Sequence, residues 1–258
     1  MRLFAFFFFI FSLLASPVWG DVVLWNSLEG LNRLERSEYK TDFYQLAGNF
    51  QPQINPLYCG IASSVIVLNA IRLEKGKAPN QPELEVQKPE VLGGDKMSYT
   101  IYSQQTFLNQ ETDKIKPRRI IDLKNSTPQN THDEASFSPG LGLGDLGKML
   151  RYYKTRVKIQ YADQEPEKGS RRFRKVLKKV LRDKDHFLVA NFYGKALGLK
   201  TGGHISPVAA YDASTDSLLL LDVAAHKNPW HWIPLVDFYK SMNTKGGNEF
   251  RGYLVVSE

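Results

Sequence analysis

Cys59 is the only cysteine in a chain of 258 residues, and it opens the apolar run Cys-Gly-Ile-Ala-Ser-Ser-Val-Ile-Val-Leu-Asn at residues 59–69. A thiol becomes a nucleophile when it is held as a thiolate. The N-terminus of a helix favours that form through its free N–H groups and its dipole. Pro56 suits the first turn of a helix and Asn55 suits its cap, so the spacing predicts Cys59 near such a terminus. Gln53, six residues before Cys59, can present a side-chain amide nearby. The plain alternative is a structural cysteine on a core helix, which is how a lone cysteine in an apolar run usually serves.

A nucleophilic cysteine needs a base, and the candidate lies far downstream in Gly202-Gly203-His204-Ile205-Ser206-Pro207-Val208-Ala209-Ala210-Tyr211-Asp212. This segment reads as a strand entering a turn at residues 212–216. The returning strand, Leu218 to Leu221, ends at Asp222. Residue 213 is the midpoint between 204 and 222, so a hairpin is predicted to set His204 and Asp222 nearly opposite each other. An aspartate closing a leucine run needs a partner when buried, and an imidazole supplies one. In such a set the His takes the thiol proton and later protonates a leaving amine, while the carboxylate fixes the ring's tautomer. Taken singly, Gly-Gly-His can be only a turn and Asp222 only a strand-end cap. The order Gln, Cys, His, Asp is that of papain-like cysteine enzymes.

The elements that must position these residues follow from periodicity. The run after Cys59 is apolar on almost every side, so it is predicted as a central buried helix. Before it come a short strand at residues 22–25 and a short helix at 29–35. Leu73–Lys96 reads as an exposed loop with at most a short helix. Residues 99–109 carry Tyr99, Tyr102 and Phe107 and read as helical, whereas 109–140 is polar, contains His132, and reads as a mobile insertion over one face. A helix is predicted at 145–154, a strand at 157–161, and a helix at 171–183 capped by Ser170, with Phe173, Val176, Leu177, Val180 and Leu181 inward. Strands at 187–193, 204–211, 217–223 and 253–257 and a helix at 235–243 complete the chain. A helical N-terminal half and a strand-rich C-terminal half give an α+β fold with two lobes.

Composition narrows the function classes. The net charge is +7, but the cations are spread over several elements, which indicates a solvated surface rather than a nucleic-acid face. Met1-Arg2-Leu3 followed by an uncharged run from Phe4 to Ala15 and a small residue at Gly20 reads as a secretory signal peptide, cleaved after Gly20. The alternative is an uncleaved anchor; no other run is long enough to span a bilayer. The mature chain, residues 21–258, has the length of one domain. An exported protein with one cysteine has no internal disulfide, so its thiol calls for an explanation.

The segments Gln53-(five residues)-Cys59-Gly-Ile-Ala-Ser, Gly-Gly-His204-Ile-Ser-Pro-Val-Ala-Ala-Tyr-Asp, Asp222-Val-Ala and Arg251-Gly-Tyr resemble the catalytic domain of phytochelatin synthase. With residues 99–109 and 143–150 the resemblance covers roughly residues 40–257. It implies a papain-like fold and a thiol enzyme acting on glutathione. Cys59 is then the nucleophile, His204 the general base and acid, and Asp222 the orienting acid. The Gln53 amide and the Cys59 backbone N–H are oxyanion donors. The plant members carry a further cysteine-rich C-terminal region, expected to be absent here as in the short bacterial members. No catalytic cofactor is implied; cadmium or zinc enters as thiolate complexes of the substrate. Five scattered histidines and one committed cysteine make no protein metal site.

Two departures from the family pattern bear on substrate binding. After its catalytic Asp the family has an Arg, an aromatic, Lys and a Pro-Pro pair, where this chain has Ala225 and then Asn228-Pro229-Trp230. The family also sets an acidic residue ahead of its Arg-Gly-aromatic motif to hold the γ-glutamyl amino group, while that Arg takes the carboxylate. Arg251 matches the second role, and Glu249 is the one residue in the preceding loop that could fill the first. The expected reaction releases glycine from glutathione and passes γ-Glu-Cys to water or to a second glutathione, with water favoured. The partners are glutathione and its metal thiolates, without nucleic acid and without membrane after signal cleavage; a homodimer is left open. A peptidase of the bacteriocin-leader-processing kind and a non-enzymatic exported binding protein are the alternatives.

Overall fold

The computed structural model describes residues 22–72, 84–87, 89–94, 96–99, 101–122 and 140–258. The expected signal segment and His132 lie outside these residues. Strand β1 (Val23–Leu24) and helices α1 (Leu28–Arg36), α2 (Thr41–Gly48) and α3 (Cys59–Arg72) come first. Every residue of α3 from Cys59 to Ile71 is buried, as an all-apolar run requires. Each of its Val, Leu and Ile side chains contributes about 1.5–3 kcal/mol by leaving water. Its start differs from expectation. Asn55 and Pro56 form a turn ahead of the helix, in which Asn55 Oδ1 accepts from Leu57 N–H at 3.0 Å and Asn55 O from Tyr58 N–H at 3.0 Å. The helix therefore opens at Cys59 itself.

The segment 73–96 is not simply a loop: β2 (Leu84–Gln87), a 3-10 turn at Glu90–Leu92 and the start of β3 (Lys96–Tyr99) lie in it, and β2 pairs antiparallel with β3. The helix expected over 99–109 is confined to α4 (Gln104–Phe107), because Tyr102 N–H and O are bound by the Asn69 side chain on α3 at 2.9 and 3.0 Å. The polar stretch after it begins with helices α5 (Gln110–Ile115), opened by an Asn109–Thr112 capping box, and α6 (Arg118–Ile121). The rest of that stretch up to residue 139 lies outside the described residues, apart from Asp122.

Next come α7 (Leu143–Tyr152), β4 (Arg156–Tyr161), α8 (Pro166–Val180), β5 (His186–Tyr193), β6 (Gly203–Asp212), β7 (Ser217–Leu220), β8 (His231–Pro234), α9 (Leu235–Met242), β9 (Lys245–Gly246), β10 (Glu249–Phe250) and β11 (Gly252–Ser257). Ser170 does not cap α8. The helix starts a turn earlier on Pro166, whose fixed φ suits a first helical position. Gly169 lies under Tyr239, where a Cβ would stand 2.0 Å from the hydroxyl.

Seven strands form one antiparallel sheet in the order β1-β8-β7-β6-β5-β11-β4. Helices cover both faces. Val189, Leu219, Trp232 and Leu254 pack towards α3 and α7, whereas Leu188, Leu218, Ile233 and Tyr253 pack towards α8 and α9. Burial on both faces explains why β5 reads as a continuous apolar run. The fold is α+β as expected, but the sheet takes one edge strand, β1, from the N-terminus. That edge is fixed at Gly30, whose carbonyl accepts from Trp232 Nε1 at 3.0 Å. A Cβ at Gly30 would stand 2.1 Å from Leu24 O, so only glycine lets α1 approach β1 this closely. Among the described residues no helix is long and apolar enough to cross a membrane.

Candidate active site

Cys59 occupies the first position of α3, and two contacts hold that end of the helix against β6. Ser63 Oγ lies 2.8 Å from Cys59 O and 3.1 Å from Ile205 O. A Cβ at Gly60 would be 3.3 Å from the Ile205 side chain and 3.4 Å from Leu141, so glycine allows the close approach of strand and helix. This docking sets the thiol in hydrogen-bonding contact with the His204 imidazole, with backbone N–H groups of Gly60 and Ile205 also directed at the sulfur.

The other side of the imidazole faces Asp222. His204 Nε2 lies 2.7 Å from Asp222 Oδ1, with His204 4% and Asp222 0% exposed, which leaves Nδ1 for the thiol. The contact arises differently from expectation. Asp212 pairs with Ser217, a bulge shifts the register between Val208 and Ala210, and β7 ends at Leu220. Asp222 thus reaches His204 just beyond the end of the ladder rather than across it. Its remaining valences are filled: Ala224 N–H donates to Oδ1 at 2.8 Å and Asn228 Nδ2 to Oδ2 at 3.0 Å. Asn228 Oδ1 in turn accepts from Lys200 N–H at 3.2 Å, tying the loop after Asp222 to the approach to β6. The sequence reading found Asn228 only as a departure in a substrate wall; nothing in its spacing marks it as a partner of Asp222.

Burial alone would disfavour every charge in this set, and the mutual contacts outweigh it. Burial raises the Cys59 thiol, but the hydrogen bond and charge of His204, with the two N–H groups, bring it below its ordinary value. Burial lowers His204, but Asp222 and Cys59 together push it up to about 9. The Asp222 carboxyl, which burial would raise, is held below its usual range by His204 and the Ala224 N–H. These contacts favour thiolate beside imidazolium over the neutral pair, with the carboxylate ionised behind it.

Gln53 is 8% exposed, and its backbone N–H donates to Val223 O at 2.8 Å, next to Asp222. Its side-chain Nε2 donates to Asn55 O at 2.9 Å and Pro56 O at 3.1 Å, while Oε1 is buried without a partner. The amide is held by its own loop, and its donors are engaged there. Turning it over would face two carbonyls with Oε1.

Arg251 lies beside the residue preceding His204: a Cβ at Gly203 would be 3.2 Å from Arg251 Nη2. Its guanidinium sits 5.3 Å above the Tyr193 ring, and Nη1 donates to Thr244 Oγ1 at 2.8 Å and Lys245 O at 2.5 Å. Among the described residues it has no carboxylate partner. Glu249 is exposed and instead stands 3.4 Å from Tyr161 Oη. The structure brings Cys59, His204 and Asp222 together, sets Arg251 against Gly203, the residue before His204, and leaves Glu249 exposed beside Tyr161.

In place of a Pro-Pro pair, Trp230 is half-buried in an aromatic cluster, its ring 5.0 Å from Trp25 and 4.9 Å from Phe50. Ala225, His226 and Lys227 are exposed on the turn between Asp222 and this cluster.

Several proteins of similar sequence are named glutathione gamma-glutamylcysteinyltransferases. The chain is 27% identical over 219 residues to glutathione gamma-glutamylcysteinyltransferase 1 of Lotus japonicus, covering 83% of this chain and 36% of that protein. It is 25% identical over 218 residues to the Arabidopsis thaliana protein of the same name, covering 83% and 37%. With the Schizosaccharomyces pombe glutathione gamma-glutamylcysteinyltransferase it shares 22% over 217 residues, covering 83% and 43%. The chain thus spans well under half the length of these relatives. The family described as phytochelatin synthase matches residues 15–253, nearly the whole sequence, and the chain belongs to that family.

Proposed function

We propose that this protein is a papain-like thiol acyltransferase that cleaves the Cys–Gly bond of glutathione. The Cys59–His204–Asp222 chain carries this reading: a thiol at the start of a buried helix, an imidazole held beside it, and a carboxylate behind the imidazole. Cys59 Sγ attacks the carbonyl carbon of the Cys–Gly bond, and the developing oxyanion takes N–H groups at the start of α3. His204 gives its proton to the glycine nitrogen as the C–N bond breaks, leaving γ-Glu-Cys as a thioester on Cys59. His204 then accepts a proton from water or from the amino group of a second glutathione, which attacks the thioester and regenerates the thiolate.

Arg251 takes a glutathione carboxylate, since it is a cation without a carboxylate partner among the described residues, beside the strand that carries His204. Glu249, on the rim, takes the γ-glutamyl amino group less directly. The Gln53 amide serves as the second oxyanion donor by moving one N–H from a loop carbonyl to the oxyanion, where the charge makes the stronger bond. Cadmium and zinc act as parts of thiolate substrates. Export follows from the uncharged run after Arg2.

The test is incubation with glutathione, with and without cadmium or zinc, resolving glycine, γ-Glu-Cys and longer oligomers. Glycine release by the wild type and its loss in Cys59→Ala support the reading. Turnover retained in Cys59→Ala would overturn it.

A further inference from the structure

We propose that the groove between α8 and the outer strands of the sheet is a second binding site, for a phosphate-bearing anion with an apolar portion. The groove has a volume of about 400 Å³, within the range of small-molecule sites. Its position follows from the register. Arg156 on β4, Ser257 on β11 and His186 on β5 stand in one row across three strands. Lys158 and Val255, two residues along, face the same way, towards α8. From α8 and the turn after it come Val176, Val180, Lys179 and Asp183.

The floor is apolar and the rim is cationic. Arg156, Lys158 and Lys179 are all exposed, and none has a carboxylate partner among the described residues. Asp183, the one acidic lining residue, lies 3.2 Å from His186 Nδ1, on the β5 side of the groove away from Arg156 and Lys158 on β4. Three like charges around one concavity repel each other, and an anion seated among them relieves that repulsion. An arginine fork with two lysines suits the several oxygens of a phosphate group, and the half-buried Val176 and Val255 offer surface to an apolar portion.

Cations on an edge strand also discourage strand-to-strand aggregation. That accounts for Arg156 and Lys158, but not for Lys179 on the facing helix or for the open volume. The groove is remote from the thiol: on β5, His186 lies six residues before Phe192, the partner of His204, a separation of about 20 Å along the strand. It therefore does not overlap the glutathione site.

The probe is inorganic pyrophosphate, titrated calorimetrically into the full chain, with vesicles of phosphatidylglycerol and phosphatidylcholine as a second arm. One saturable pyrophosphate site is expected, weakened about tenfold or more in Arg156→Gln/Lys158→Gln through loss of two charge-assisted contacts. The control, Lys168→Gln/Lys175→Gln on the exposed side of α8, removes the same charge and should change affinity less than about twofold. Lys179→Gln probes the site from the helix side, and circular dichroism melts check that each variant folds. Vesicle binding that pyrophosphate displaces, lost in the groove variant, assigns a lipid headgroup as the source; pyrophosphate binding alone assigns a soluble phosphate compound. Absence of saturable binding, or equal loss in groove and control variants, overturns the proposal.

Discussion

In the proposed mechanism the reactivity of Cys59 depends on how tightly Asp222 holds His204, and pH gives access to that coupling. The thiolate–imidazolium pair forms as pH rises through the lowered Cys59 value and is lost as His204 deprotonates near 9. Asp222→Asn removes the strongest contact that raises His204, so the alkaline limb of glycine release should move to lower pH while kcat falls by about 10⁴-fold, as for a wrong tautomer. Stability follows with a definite sign. The folded pKa of His204 lies above its unfolded value, so its contribution is complete below about 6.5 and fades as pH rises through about 9. The melting-temperature gap between wild type and Asp222→Asn should therefore be largest near pH 6 and shrink above pH 9. A gap unchanged by pH would assign Asp222 a strand-end capping role only. For Gln53→Ala, kcat should drop about 100- to 1000-fold with little change in KM. Steady-state kinetics check this, and near-wild-type kcat would leave the amide a loop brace for the Asn55 and Pro56 carbonyls.

At the scale of elements, what could be read in advance was what local pattern controls. The 59–69 run, apolar on almost every side, marked a central helix, and the i, i+3, i+4 spacing of Phe173, Val176, Leu177 and Val180 marked α8. Exact boundaries were not legible. α3 begins at Cys59 because Asn55 and Pro56 close a turn, and α8 starts on Pro166, with Gly169 fitted beneath Tyr239. The pairing of His204 with Asp222 was legible from the spacing of a leucine run, but the bulge and early end of β7 that deliver it were not. Asn228, bound to Asp222 through tertiary contact alone, carried no signal at all. The glycine that seats α1 on β1 gives a test at this scale. Gly30→Ala should destabilise the fold by about 1–3 kcal/mol, since its Cβ would meet Leu24 O at 2.1 Å. Chemical denaturation measures this, and hydrogen exchange should show β1 loosened from β8. An unchanged midpoint would mean that this edge contributes little to the sheet.

For the whole molecule, the donor and acceptor halves of the proposed reaction are unequally furnished. The donor half is buried and closed by hydrogen bonds around Asp222. On the acceptor side, Ala225 stands exposed on a turn where the family has Arg, and Trp230 turns into an aromatic cluster with Trp25 and Phe50. Water needs no binding site, whereas a second glutathione competes only when its amino group is held at the thioester. Hydrolysis should therefore exceed transfer. An exposed ionic contact is worth on the order of 1 kcal/mol, so Ala225→Arg should raise the ratio of phytochelatin to γ-Glu-Cys several-fold with little change in glycine release. Product analysis at millimolar glutathione reads both quantities, and a ratio that ignores the substitution would place the acceptor elsewhere. Beneath all of this lies the claim that Cys59 is acylated. Rapid quench with glutathione followed by intact-mass and peptide analysis tests it most directly: the account predicts one γ-Glu-Cys group on Cys59 of the wild type and none on His204→Ala. Glycine release with no mass increase on Cys59 would contradict it.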